Sequence, residues 1–217
     1  MKRIILTLTA LVITAQADWK QWRGPTGQGH ANANLPIEWN EKKNIKWRTT
    51  IPGKGWSSPV IEGNQVWMTT AFETVASEEE RRERLKKNTG GVPVHVLSSV
   101  RLNAVCVDKQ NGKLLHNIEV IAKKQPQWVH KLNSYASPSP IIESGRVYCH
   151  FGAYGTVCVD AKTGKVAWRN DKVWVMHENG PGSTPVLWKD LLIFHMDGSD
   201  QQFVVALDKA TGKERWR

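Results

Sequence analysis

Hydrophobic and polar positions alternate in short runs, and the runs come in a repeated order. Ser58 and Pro59 open SPVIEGNQVWM, Ser139 and Pro140 open SPIIESGRVYC, and Thr184 and Pro185 open TPVLWKDLLIF. Each phrase predicts a short inner strand that begins at a proline, where no ladder N–H is needed. A turn at Gly63, Gly145 or Asp190 follows, then a second strand. Further on, each stretch carries a third apolar run into an aspartate, with glycine four residues later: CVDKQNGKLLH from Cys106, CVDAKTGKVAW from Cys158 and ALDKATGKERW from Ala206. The aspartate accepts backbone N–H groups in the turn, and the glycine takes the left-handed conformation that closes a hairpin.

Asp108, Asp160 and Asp208 are 52 and then 48 residues apart, a fixed period that belongs to blade or solenoid arrays. Four strands in a unit of roughly 50 residues read as a propeller blade. The sequence therefore predicts an all-β protein, a β-propeller of four-stranded antiparallel blades. The docking positions are Asp108 and Gly112, then Asp160, Gly164 and Trp168, then Asp208, Gly212 and Trp216. A tryptophan after the turn offers a large flat apolar face and one N–H donor for wedging between neighbouring sheets. His116 holds that place in the first copy, so its junction is expected to pack differently.

The pair Trp47-Arg48 recurs as Trp168-Arg169 and Trp216-Arg217. Residues before Trp47 supply no earlier strands of a blade, so Ile45 to Ile51 reads as an orphan outer strand that closes a ring. About three blades plus that strand are expected, whereas closed propellers use about four to eight blades. The sequence is accordingly read as an N-terminal fragment of a longer protein.

Lys2 and Arg3, the apolar run Ile4 to Thr14 and the small-residue series Ala15-Gln16-Ala17 predict a secretory signal over 1–17, cleaved after Ala17. That run is too short to span a membrane, so a periplasmic or secreted protein without a transmembrane segment is expected. Residues 18–44 form an N-terminal extension and 45–217 the partial propeller. The net charge of +10 speaks to solubility and non-specific association. Basic residues are not interleaved with exposed aromatics, which argues against a specific nucleic-acid role. Several of the eleven tryptophans fall at packing positions of the repeat, Trp67, Trp168, Trp188 and Trp216 among them.

Cys106 and Cys158 stand where Ala206 stands in the third copy, which reads as a small buried residue. Cys149 and Cys158 flank the loop Phe151 to Gly155, and a disulfide between them is an open alternative in an oxidising compartment. Within the first blade, SEEERRERLKK from Ser77 predicts a surface helix inserted at about 75–90, with Ser77 and Glu80 spaced as a capping box. His130 with Asn133, and His177 with Glu178 and Asn179, precede inner strands and are candidate ligand contacts at the channel mouth. Asp197, Gly198 and Asp200 read as a polar hairpin turn, with calcium ligation the sharper alternative. GPTGQG from Gly24 lacks the lysine of a phosphate loop and reads as a surface turn.

From about Trp19 to Arg217 the chain resembles the pyrroloquinoline-quinone-repeat propellers, a group containing quinoprotein alcohol dehydrogenases and an outer-membrane assembly propeller. The third copy matches the tryptophan-docking motif AxDxxTGxxxW throughout, the second departs only at Cys158, and the first departs at Cys106, Asn111 and His116. The resemblance implies the architecture and leaves activity open, because sites are grafted onto folds. The dehydrogenases typically add adjacent cysteines, calcium ligands and a base aspartate. Neither a pair of adjacent cysteines nor a CxxCH haem site occurs here. The expectation is a binding or assembly scaffold for protein or envelope polymer, with no catalytic, cofactor or metal residues assigned. The alternative is a pyrroloquinoline-quinone- and calcium-dependent oxidoreductase whose site lies largely in missing blades.

Overall fold

The computed structural model describes residues 18–86, 88, 91 and 93–217. The expected signal segment, 1–17, lies outside the described residues. Three antiparallel four-stranded sheets follow one another. The first blade comprises β1 (Val60–Glu62), β2 (Gln65–Val75), β4 (Leu97–Asp108) and β5 (Leu114–Lys124). The second comprises β7 (Ile141–Glu143), β8 (Arg146–His150), β9 (Thr156–Asp160) and β10 (Val166–Asn170). The third comprises β11 (Val186–Trp188), β12 (Leu191–Asp197), β13 (Gln202–Asp208) and β14 (Glu214–Trp216). All three have the expected inner-to-outer order. Two short strands, β3 (Val94–His95) and β6 (Val129–His130), pair outside the blades.

The same cross-blade row recurs in register. Val60, Trp67, Cys106 and His116 lie side by side in the first blade, Ile141, Tyr148, Cys158 and Trp168 in the second, and Val186, Ile193, Ala206 and Trp216 in the third. Period-two alternation turns each row to one face of its sheet. The first row packs on Val147, Val157 and Val159 from the opposite face of the second blade. The second row packs on Leu192, Phe194, Val205 and Leu207 of the third. The core thus lies between blades. This alternation also settles the cysteines: Cys149 pairs with Val157 while Cys158 pairs with Tyr148, and the two thiols enter different inter-blade cores. Cys149 and Cys158 are buried and free, so the alternative disulfide is not formed. Burial pushes the Cys158 thiol up to about 11 and the Cys106 thiol up to about 12.

Each DxxTG turn is built by its aspartate. The Asp160 carboxylate accepts from the Thr163 amide and hydroxyl, both at 2.8 Å, and Asp208 accepts from the Thr211 amide and hydroxyl at 2.9 Å. Gly212 (φ 71°) lies under the Trp168 indole, whose Nε1–H donates to the Lys209 carbonyl at 3.0 Å. Trp47 meets the first blade in the same way: its Nε1–H donates to the Lys109 carbonyl at 2.8 Å, and its ring covers Gly112. Residues 45–51, expected as a strand, form no ladder, because no neighbouring strand among the described residues pairs with them. Docking of Trp47 therefore stands without the strand.

The His116 junction is repacked. The His116 ring stacks on Trp67 (centroids 5.5 Å apart, 16° between planes) and faces Gly164. The donor that an indole supplies elsewhere comes here from Gln65, whose Nε2–H donates to the Ala161 carbonyl at 2.9 Å. Ala161 occupies the position of Lys109 and Lys209, directly after the turn aspartate.

A second staple joins the inner ends of the blades. The Ser58 amide donates to Ser139 Oγ at 2.9 Å, and the Ser139 amide donates to Thr184 Oγ1 at 3.2 Å. The hydroxyls before Pro140 and Pro185 are thus the acceptors for the blade before each. The N-terminal extension crosses the inner strands: Trp19 bridges Ile61, and the Lys20 carbonyl accepts from the Ile142 amide at 2.9 Å.

Candidate functional site

Topology divides the molecule into two unlike ends. One end carries tight turns, at Gly63, Gly145, Lys189-Asp190 and the three aspartate turns, with the N-terminal extension laid against it through Asp18, whose Oδ1 accepts from the Gly63 amide at 2.9 Å. The other gathers the long connections: the β2–β4 insertion, the β8–β9 and β12–β13 loops, and the segments that lead into β1, β7 and β11. All five candidate contacts lie in these long connections.

The helix α1 (Glu78–Leu85) in the insertion buttresses this end. Ser77 Oγ accepts from the Glu80 amide at 3.1 Å, as the capping box predicts. Arg84 then donates to the Leu97 carbonyl at 2.6 Å and to the Pro126 carbonyl. Leu85 and Trp128 pack on a small cluster of Ala76, Val94 and Val96. The insertion thereby fixes the start of the loop that carries His130 and Asn133.

The structure brings His130, Asn133 and the 177–181 segment together, chiefly for mutual support. Asn133 Nδ2 donates to the Asn179 carbonyl at 2.8 Å and to the Pro181 carbonyl at 3.2 Å. The His130 amide donates to the Asn179 carbonyl at 3.2 Å, and its Nδ1 accepts from the Leu132 amide at 3.0 Å. Glu178 and Asn179 are exposed. His177 is buried, with its Nε2 3.1 Å from the Tyr154 hydroxyl. Burial depresses its basicity to about 4, so the ring is neutral at pH 7.

Beside His177 lies a cleft of about 180 Å³ between the second and third blades. His150 at the end of β8 and His195 on β12 also line it, with Ser183 and Asp197. Burial, with a smaller contribution from His195, lowers His150 to about 3. His195 is held at the mouth by Ser183 (Oγ to Nδ1, 3.2 Å) and Asp197 (Oδ2 to Nε2, 3.1 Å). His150, His195 and Ser183 escaped sequence reasoning because they lie on three separate segments with no shared spacing. Only the polar interruption of the apolar strand ends at His150 and His195 signalled them. A second groove, lined by Lys54, Trp56, Glu73 and Lys131 among others, opens beside the first blade, where Lys54 pairs with Glu73 at 2.7 Å.

In the 197–200 loop Asp200 Oδ1 accepts from the Met176 amide at 2.8 Å, and Asp197 Oδ2 lies 3.1 Å from His195 Nε2 on β12. Among the described residues no group of three or more His, Cys, Asp or Glu is placed to hold a metal ion.

Blades joined by an outer-strand aromatic on the next DxxTG turn define a PQQ-repeat β-propeller. The family model described as outer membrane protein assembly factor BamB matches residues 32–217, and the chain belongs to that family. No curated protein matches the chain significantly. Among solved structures it is similar to a europium-containing methanol dehydrogenase (13% identity over 73% of this chain and 23% of that chain, TM-score 0.47). It is also similar to BamB from Moraxella catarrhalis (17% identity, 57% and 32% covered, TM-score 0.35). A third is the quinohemoprotein alcohol dehydrogenase from Comamonas testosteroni (13% identity, 69% and 22% covered, TM-score 0.38). The chain spans no more than 32% of the length of any of these three.

Proposed function

We propose that the protein is an exported binding or assembly scaffold that engages protein or envelope polymer through its long-loop end. The observation that carries this reading is the set of large apolar side chains standing out of those loops. Trp56 is 61% exposed, Leu132 73%, Trp174 45% and Met176 52%. Trp22, Trp39 and Trp188 are exposed outside these loops, but Trp56 stands in a groove rimmed by charge, the setting of an interaction site. Lys54, Glu73 and Lys131 supply that rim around Trp56. Family membership supports the reading, since the family model carries the name of an assembly factor. Export rests on the N-terminal signal pattern, and no helix among the described residues is long and apolar enough to cross a membrane.

The test places a photo-crosslinking residue at Trp174 or Leu132 in the full chain expressed in its own host envelope. Specific adducts that disappear in the Trp56→Ala/Met176→Ala double variant, with unchanged thermal melting, are the expected result. Absence of adducts, together with dye-linked alcohol oxidation after quinone and calcium are added, overturns the scaffold reading in favour of an oxidoreductase.

A further inference from the structure

The inner edge of the first blade is paired for only part of its length. β1 covers β2 from Gln65 to Trp67, and further along Lys54 bridges Ala71. The Lys54 amide donates to the Ala71 carbonyl at 2.8 Å, and the Lys54 carbonyl accepts from the Ala71 amide at 2.6 Å. Beyond that bridge the chain turns away at Gly53 (φ 83°), where a Cβ would meet the Ala71 oxygen at 2.9 Å. Antiparallel pairing turns the backbone groups of successive residues to opposite sides of a strand. Ala71 faces Lys54, and Ala76, an odd number of positions on, donates to the Val96 carbonyl at 3.1 Å on the β4 side. Glu73 and Val75 therefore aim their N–H and C=O groups away from β4. Among the described residues no strand pairs with them there. Val75 is 69% exposed. Such an edge is a template for a further strand.

A groove flanks the edge on each face, because side chains alternate along β2. One groove, about 360 Å³, is lined by Glu73 together with Trp56, His95 and Lys131. The other, about 420 Å³, is lined by Phe72, Thr74 and Arg101. Gly53, Lys54 and Glu73 border both. A strand laid along Glu73–Val75 would drop its own alternate side chains into the two grooves in turn.

We infer that the β2 edge at Glu73–Val75 receives an extended polypeptide segment as an added strand, with acidic and aliphatic side chains alternating along it. Only an extended chain repeats N–H and C=O groups at the spacing of this edge, while pockets for alternate side chains give specificity. Charge selects the residue for the first groove. The Glu73 side chain, 8% exposed, is matched by Lys54 at 2.7 Å, whereas Lys131 forms no ion pair among the described residues, so an acidic side chain complements it. In the second groove the Arg101 guanidinium lies over the Phe72 ring at 5.1 Å and meets Glu119 at 3.7 Å. Its charge is already matched, and the Phe72 ring suits an aliphatic neighbour. This inference rests on the reading of the long-loop end as a protein-binding surface, and it names the conformation and chemistry of the segment bound.

The probe is a heptapeptide of alternating glutamate and valine, capped at both ends, titrated into the full chain and followed by amide hydrogen exchange. Phe72 and Thr74, which face β4, are expected to exchange slowly throughout. Glu73 and Val75 are expected to exchange fast in the free protein and at least tenfold more slowly at saturating peptide. N-methylation of the alternate peptide amides that face β2 is expected to weaken binding at least tenfold, and methylation of the other set to leave it unchanged. Lys131→Glu, at an exposed position, is expected to weaken binding at least fivefold with unchanged thermal melting. The inference is overturned if Glu73 and Val75 are already protected in the free protein, if peptide binds without protecting them, or if both methylated sets bind alike. It is overturned equally if the peptide does not bind at all. Should crosslinks at Trp174 or Leu132 still form in that case, strand addition alone falls and the scaffold reading stands.

Discussion

At the residue scale, one position shows how a lost contact is replaced. The indole that docks on the next turn is present at Trp47 and Trp168 and absent at His116, yet the junction keeps its donor and its volume. Gln65 supplies the donor to the Ala161 carbonyl and Trp67, fully buried, supplies the volume. Replacing Gln65 by Leu leaves that carbonyl unpaired and is expected to cost about 1–3 kcal/mol in urea unfolding. Trp168→Ala removes ring and N–H together from the junction with Gly212, and is expected to cost about 3–5 kcal/mol by the same measurement. A loss below about 1 kcal/mol would mean that the docked ring is not what joins the blades. The sequence revealed that His116 departs from the pattern. It did not reveal the compensation, because Gln65 and Trp67 lie on another strand, and only pairing through β4 sets the Trp67 ring against His116.

At the element scale, strands and turns were legible and the connections between them were not. Proline starts, glycine turns and aspartate hairpins are local chemistry, so all three blades appear where the repeat puts them. The capping box at Ser77 was likewise local. Register was needed to separate Cys149 from Cys158, since a one-residue offset sends neighbours to opposite faces. The serine–threonine staple also required tertiary placement. Ser139 is buried and its hydroxyl accepts from Ser58, so Ser139→Ala is expected to destabilise by about 1–2 kcal/mol, checked by thermal or urea unfolding. The aspartate turns carry a pH signature. Hydrogen bonds, led by those from Thr163 and Thr211, hold Asp160 and Asp208 below the usual carboxylate value of 3.8. Their contribution is complete above that value and is lost as pH falls below it. Asp160→Asn is expected to flatten this acid limb of the stability curve.

At the scale of the whole molecule, the blades bury two histidines that titrate abnormally. His177 and His150 are depressed from 6.5 to about 4 and about 3 in the folded protein, principally by burial. The unfolded chain therefore binds more protons below pH 6.5, and stability is present in full above that pH and declines as pH falls towards 4. The decline is on the order of 3 kcal/mol for His177 alone. Unfolding free energies of the parent and of His177→Phe, measured between pH 7 and 4.5, are expected to converge as pH falls. Parallel curves would show that His177 titrates normally.

What the sequence determined by itself was the blade: its four strands, its aspartate turn and the aromatic meant for its neighbour. Those features depend on neighbours in the chain, on period-two alternation and on the φ preference of glycine. It also placed His177 and Asn133 in the segments that precede inner strands. Tertiary structure alone decided what these residues do there. Asn133 became a brace for the 179–181 backbone, while His177 was paired with Tyr154 and set in a common cleft with His150 and His195. Those three histidines come from separate segments of two blades, and only the packing of one blade on the next brings them together.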